Sequence, residues 1–377
     1  MRPTIVLVLF LLLDSFIIGN KEPNQSMMHF VESISLTADA QTSPGSYTCK
    51  YYFDGEDELI YWRNKDGESI DVFDLNSQSL CHTIEFPMDG SLGFQSLKGG
   101  FSVLGRDTLL LSPNIPGKLY LFNNHIDNIK LLEYRSDNGH PMNEYAHINS
   151  RVNKDAFYFK DDIIIPLRTP GFFSVPSKQV VADINLFMAI DPLKSQYQPV
   201  SSIKIDYSLM NHDEPLAQST TLTYGDKLYY QFGSNHHLYA TEDLVDVQKK
   251  EILPSQTGNF ISIYGKGDLY GLSAQNTQYF GLFHDKTNGL IYRLLKLPSK
   301  DWQNADKDHE RDFIFERVLV VIVDEELNYV GEHLFENSFY SWNECFVGKK
   351  GLHILRSPYH EKYDYCNLTF DVWGVDS

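Results

Sequence analysis

Three groups of residues in this chain have the types and spacing to do chemistry. His284-Asp285 and Tyr292-Arg293 stand on either side of a short polar turn, so a hairpin would set an imidazole, a carboxylate, a phenol and a guanidinium close together. If the first pair lies on a strand facing a channel, the four can contact a polar ligand. The plainer role is a turn-capping Asp and an Arg that pairs with it. A second group, His140-Pro-Met-Asn-Glu144-Tyr-Ala-His147, places two imidazoles and a carboxylate in a connecting loop. Loops on a rigid scaffold are where ligand sites are commonly built, so a metal or acid–base role competes there with a simple solvated loop. Third, Glu344 and Asp285 are carboxylates that a hydrolase or lyase could use, provided two carboxyls face each other at about 5–9 Å.

Other chemistries lack their residues. The 13 histidines form no HExxH and no 2-His-1-carboxylate spacing, and the cysteines form no CxxC. His236 and His237 are adjacent on a strand, point to opposite faces and cannot chelate one ion together. There is no G-x-S-x-G elbow. No metal ligand set, no cofactor and no catalytic residue is therefore assigned, and an enzymatic role is the less favoured one. Abundant Tyr and Phe could stack on sugars, but in a layered β-structure most of them form core.

The net charge of −18 repels phosphate backbones, and no basic stripe offsets it, so nucleic acid is not an expected partner. Lys249-Lys250 and Lys349-Lys350 read as solvated turn and edge residues. Residues 1–19 read as an export signal, with Arg2 ahead of an apolar run from Ile5 to Leu13. That run is too short to span a bilayer, which takes about 20 apolar residues, so no transmembrane span is expected in the mature chain. Residues 20–28 read as a polar tether.

The element that must position the candidates runs from Tyr279 to Glu336. Tyr279–Asp285, Gly289–Leu297, Val318–Asp324 and Tyr329–Phe335 alternate with turn chemistry and make a four-stranded antiparallel unit. One such blade cannot bury both its faces alone. The unit recurs from Ser46, from Phe101, from Phe157 and from Thr221, and its third strand tends to end in Asp or Asn, as at Phe73-Asp74, Phe122-Asn123, Ile190-Asp191 and Val323-Asp324. The third unit is read as ending in a strand at Ser202–Tyr207, and Pro166 within it requires an edge or bulge position because it cannot donate to a ladder. Residues 260–272 read as an extra hairpin of no assigned place. From Glu344 onward only three strands remain, while His29–Thr37 is a strand with no neighbour. The expected fold is all-β: a six-bladed β-propeller of four-stranded antiparallel blades over residues 29–377, its ring closed by that N-terminal strand pairing near Asn367–Trp373.

This register separates the four cysteines. Cys49 and Cys81 fall on the first and fourth strands of one blade, about 14 Å apart at a strand spacing of about 4.8 Å, beyond disulfide reach. Cys345 and Cys366 fall on the first and third strands of the last. Buried free thiols, with no disulfide, are the expectation.

The pattern Phe283-His-Asp285, Leu290-Ile-Tyr-Arg293, Val321-Ile-Val-Asp-Glu325 and Val330-Gly-Glu332 resembles an uncharacterised family of bacterial TolB-like six-bladed propeller lipoproteins, found chiefly in the Bacteroidetes. The likeness runs from about Tyr47 to Trp373. It implies an exported protein of the periplasm or cell surface and transfers no catalytic residue. Asn20 stands where such a lipoprotein carries its lipidated cysteine, which removes the chemistry of anchoring at that position. The function expected is recognition of a protein partner or glycan at one mouth of the channel; the alternative is a carbohydrate hydrolase or lyase using mouth carboxylates.

Overall fold

The computed structural model describes residues 27–37, 42, 49–64, 68–86, 100–112, 118–123, 129–133, 145–146, 155–168, 187–193, 196–199, 220–258, 260, 274–300, 316–336 and 339–375. The candidates His140, Glu144 and His147, the strand read at 202–207 and nearly all of the hairpin read at 260–272 lie outside the described residues.

The described strands form six antiparallel sheets arranged as a six-bladed β-propeller. After β1 (Met28–Thr37), the first blade is β2 (Cys49–Phe53), β3 (Glu58–Arg63), β4 (Ser69–Asp74) and β5 (Ser79–Glu85). The second is β6 (Phe101–Gly105), β7 (Thr108–Leu111), β8 (Lys118–Asn123) and β9 (Ile129–Glu133). In the third, β10 (Tyr145–Ala146) and β11 (Phe157–Phe159) both pair β12 (Asp162–Arg168), which continues to β13 (Phe187–Asp191) and β14 (Gln196–Pro199). The fourth is β15 (Thr220–Tyr224), β16 (Lys227–Gln231), β17 (His237–Thr241) and β18 (Gln248–Glu251). The fifth is β19 (Gln278–Asp285), β20 (Leu290–Lys296), β21 (Arg317–Asp324) and β22 (Tyr329–Glu336). The last is β23 (Tyr340–Gly348), β24 (Gly351–Arg356) and β25 (Asn367–Val375), with β1 as its outermost strand.

Side chains on a strand alternate between sheet faces, so each blade buries one set against each neighbour. Six apolar clusters result, one per interface. Leu59, Tyr61 and Val72 meet Phe101 and Leu109 between blades one and two, and Leu110 and Leu119 meet Ile163 and Met188 between two and three. Phe187 meets Tyr230 between three and four, and Tyr229 meets Ile291 between four and five. Tyr292 and Val320 meet Trp342 and Ile354 between five and six. Ile60, Trp62 and Phe73 meet Leu355, Phe370 and β1 residues Ile34 and Leu36 between six and one.

Turn chemistry repeats as the Asp-ended strands suggest. Asp74 Oδ1 accepts from Asn76 N at 2.7 Å, Asp191 Oδ1 from Leu193 N at 2.9 Å, and Asp324 Oδ1 from Asn328 N at 2.6 Å. Each is an Asx-type cap that lets the chain reverse tightly into the fourth strand. The cap on Asp191 explains a correction: the third blade's outer strand starts at Gln196, well before residue 202. Pro166 falls where the inner edge of β12 has no partner among the described residues, between the stretch paired with β11 and that paired with β10. A residue with no N–H is tolerated there.

Cys49 and Cys81 occupy the first and fourth strands of their blade. Burial differs from expectation: Cys345 is buried and Cys49 partly so, but Cys81 and Cys366 are exposed.

Candidate functional site

The inner strands β2, β6, β11, β15, β19 and β23 surround a central cavity of about 410 Å³. It falls within the range of small-molecule sites. Its wall includes unbroken runs, Cys49–Phe53, Thr221–Thr223 and Leu282–His284, together with Cys345–Lys349. Consecutive residues can line one surface only if the strand edge itself faces it, because alternate side chains diverge. Each of these strands is hydrogen-bonded on one side alone, so the other edge offers backbone donors and acceptors to the channel.

One side of the wall is ionic. Lys50 is buried on β2 and its Nζ lies 2.7 Å from Asp155 Oδ1 in the third blade. Ser102 of β6 sits between them in the ring, donating to Asp155 at 3.4 Å and accepting from Ala156 N at 2.8 Å. Burial and the neighbouring Glu344 carboxylate push the Cys49 thiol up, and burial followed by Cys49 itself pushes Cys345 up. Both thiols stay protonated at neutral pH and neither is an activated nucleophile.

At the mouth beside the first hairpins, Phe53 ends β2. Lys349 Nζ lies 4.6 Å and Lys286 Nζ 5.7 Å from its ring centroid. Lys349 also donates to the Glu56 carbonyl at 3.1 Å and stands 3.7 Å from Glu58 Oε2. Lys349 and Lys350 fall in the turn after β23, Lys350 exposed as read and Lys349 half-buried in the cavity wall. Lys286 has no carboxylate in ion-pair reach among the described residues. Among the described residues, three lysines thus line the cavity against a single acidic residue, Asp155.

Of the described site candidates from the sequence, His284 alone reaches the wall. Its ring stacks on Tyr224 of the fourth blade with centroids 3.8 Å apart, and Nε2 donates to Glu325 Oε1 at 2.9 Å. Burial holds its pKa below the usual value although Glu325 opposes this, so the ring is neutral at pH 7. Nδ1 is buried with no hydrogen-bond partner among the described residues. Asp285 is fully buried and committed: it accepts from Thr287 N at 3.0 Å, Asn288 N at 3.1 Å, Asn288 Nδ2 at 2.8 Å and Tyr292 Oη at 2.8 Å. Burial, then Asp285, raises the Tyr292 phenol. Arg293 is buried against the fourth blade, donating to Gln231 Oε1 at 2.8 Å and to the His236 and His237 carbonyls at 3.3 Å, with its guanidinium 4.2 Å from the Tyr279 ring centroid. Tyr292 and Arg293 are adjacent on the second strand and point to opposite faces, so the four residues do not converge on one ligand. Glu344 is 1% exposed and lies outside the cavity wall.

Lys50, Phe53, Asp155, Lys286 and Lys349 were not singled out as site residues in the sequence. Two of them carry a positional signal: Lys286 and Lys349 each follow the last residue of an inner strand, so aligning blades five and six superposes them.

Residues 27–334 match a domain of unknown function, DUF4221. The chain belongs to the DUF4221 family. Its fold is similar to that of a DUF4221 member from Bacteroides vulgatus, with a TM-score of 0.74 and 16% identity over 94% of this chain and 100% of that one. A Bacteroides fragilis protein whose export is inferred is similar at a TM-score of 0.55 and 8% identity, over 93% of this chain and 96% of its own. At such identities the likeness is one of fold. No curated protein sequence matches the chain. Among the described residues no helix is long and apolar enough to cross a membrane.

Proposed function

We propose that this DUF4221 propeller is an exported binding module of the cell envelope that takes the end of a glycan into its central channel. The supporting observation is the cavity of about 410 Å³, walled by open strand edges from all six blades. Such edges match a ligand rich in hydroxyl groups, and Tyr52, Phe53, Phe157 and Tyr158 on the same wall offer faces for a sugar ring. Export is supported by the leader at residues 1–19 and by the inferred export of the similar B. fragilis protein. The leader resembles that of a TolB-like lipoprotein, but with Asn20 in the cysteine's place the chain carries no lipid there.

Hydrolysis or lysis by Asp285 and Glu344 fits less well. Asp285 spends its lone pairs on four hydrogen bonds, and Glu344 does not line the cavity. A protein partner is the second reading. Exposed large apolar side chains such as Phe30, Leu80, Leu131, Tyr158 and Val245 are spread over five blades, and a docking surface would gather them in one patch.

The test is a glycan array probed with the mature protein, with the same glycans followed for turnover. Saturable binding without product supports the reading. Turnover of any bound polysaccharide, or no saturable glycan alongside a stoichiometric envelope protein partner, overturns it.

A further inference from the structure

Among the described residues no carboxylate lies in ion-pair reach of Lys286 at the channel mouth, on a chain whose net charge is −18. Here the neighbour is another cation: Lys349 approaches the same Phe53 ring from the next blade, and the two turns are tied by Thr287 Oγ1 donating to the Lys349 carbonyl at 3.4 Å. Two ammonium groups brought together at a rim repel each other, at a cost that a bound anion would remove. Part of the charge on Lys349 is already met by Glu58 and the Glu56 carbonyl, which leaves Lys286 as the one of the two with no ion pair among the described residues. Deeper in the channel, Lys50 is matched by Asp155 at 2.7 Å. Lys286 is thus the cavity-lining lysine that no described carboxylate pairs with.

We propose that the mouth at Phe53, Lys286 and Lys349 selects an acidic saccharide, with the ligand's carboxylate on Lys286 and its ring against Phe53. This rests on the reading of the channel as a glycan site and adds the charge of the ligand. Lys286 is exposed in a turn, so its side chain is free to close over the carboxylate. The acidic remainder of the surface raises the selectivity, since it repels anions everywhere except where cations are gathered.

Isothermal titration with galacturonate, glucuronate and N-acetylneuraminate, against galactose and inorganic phosphate, tests this in wild type, Lys286→Glu and Lys286→Gln. Lys300→Glu makes the same charge change at a lysine that does not line the cavity and serves as the control. A charge-assisted hydrogen bond lost from a site costs roughly tenfold or more in affinity. The expected result is saturable binding of at least one acidic sugar, at least about tenfold weaker binding of galactose, loss in both Lys286 variants and retention in Lys300→Glu. Added salt weakens the acidic ligand selectively. Equal binding of galactose and acidic sugars, unchanged by Lys286→Glu, overturns the anion inference while leaving the glycan site standing. Binding of inorganic phosphate as tight as that of the sugars overturns it as well, because the ring then contributes nothing. If no acidic sugar binds the folded protein, the inference fails, and neutral hits on the glycan array decide separately whether the channel reading survives.

Discussion

Arg293 on β20 donates from Nε to Oε1 of Gln231 on β16 at 2.8 Å, joining the fifth blade to the fourth through two fully buried polar side chains. Gln231 is in turn fixed by its Nε2 donating to the Gly281 carbonyl at 2.8 Å. Burial lowers the Arg293 pKa from its usual value, yet the His236 and His237 carbonyls and the Tyr279 ring compensate the charge. Gln231→Ala leaves that guanidinium short of one acceptor, and losing a buried hydrogen bond to a charged group costs about 1.5–3 kcal/mol. Urea denaturation should show a loss of that order. The double variant Gln231→Leu with Arg293→Met should be more stable than Gln231→Ala alone, since it removes the buried charge together with its partner. Additive losses would mean that the pair is not coupled.

The same pair marks the limit of what the sequence discloses. Period-two runs and Asp-ended strands were enough to place the blades, because turn chemistry and alternation are local. Whether a side chain sees the channel is decided by which strand it occupies and which edge is open, and both are set by blade packing. Tyr292 and Arg293 looked like channel residues because they follow His284-Asp285 across a turn. They lie on the second strand, one layer out, where every side chain meets a neighbouring blade. Lys286 and Lys349 looked like ordinary turn lysines, and only the ring brings them to one Phe53. The broken inner edge of the third blade was hidden for a similar reason: Tyr145–Ala146 is too short to have a pattern of its own.

His353 on β24 is 2% exposed, stacks on Phe346 with centroids 4.6 Å apart, and donates from Nδ1 to the Gly351 carbonyl at 2.9 Å. Burial lowers its pKa to about 4 from an ordinary value of 6.5. The unfolded chain therefore binds a proton that the folded chain refuses between these two values, and stability falls as pH drops from about 6.5 to 4. The loss attributable to this residue is roughly 3 kcal/mol. His353→Gln should be less stable at neutral pH but flatter in this window. Melting temperatures for both proteins across pH 7 to 4 measure it, and parallel curves would remove His353 as the cause.

Asn20 has no thiol to accept a diacylglyceryl group. Growth with a clickable fatty acid should leave the N-terminal region unlabelled, while Asn20→Cys should gain label if the rest of the leader is competent. Label in the unaltered chain would show that another residue near the N-terminus is acylated.

Closure of the ring gives the last prediction. β1 pairs β25 in antiparallel register, His29 opposite Gly374, Phe30 opposite Trp373 and Thr37 opposite Asn367, with an irregularity between Phe30 and Glu32. Side chains reinforce the ladder: Ser33 Oγ donates to Asp371 Oδ1 at 2.8 Å, Ser35 and Thr369 hydroxyls are 3.0 Å apart, and Arg356 bridges to Ser33 and Asp371 at 2.8 and 2.7 Å. Ile34 and Leu36, both buried, complete the cluster shared by blades six and one. Removing β1 uncovers that cluster and frees the edge of β25, an apolar strand then open to other chains. A chain starting at residue 43 should melt at a markedly lower temperature and aggregate, with dispersion restored by adding a peptide of residues 27–37 in trans. Replacing Ile34 and Leu36 by Ala in the full chain should give a milder form of the same loss, about 2–5 kcal/mol per site. A truncated chain that keeps the melting temperature and monomeric elution of the full one would show that the ring holds without its N-terminal strand.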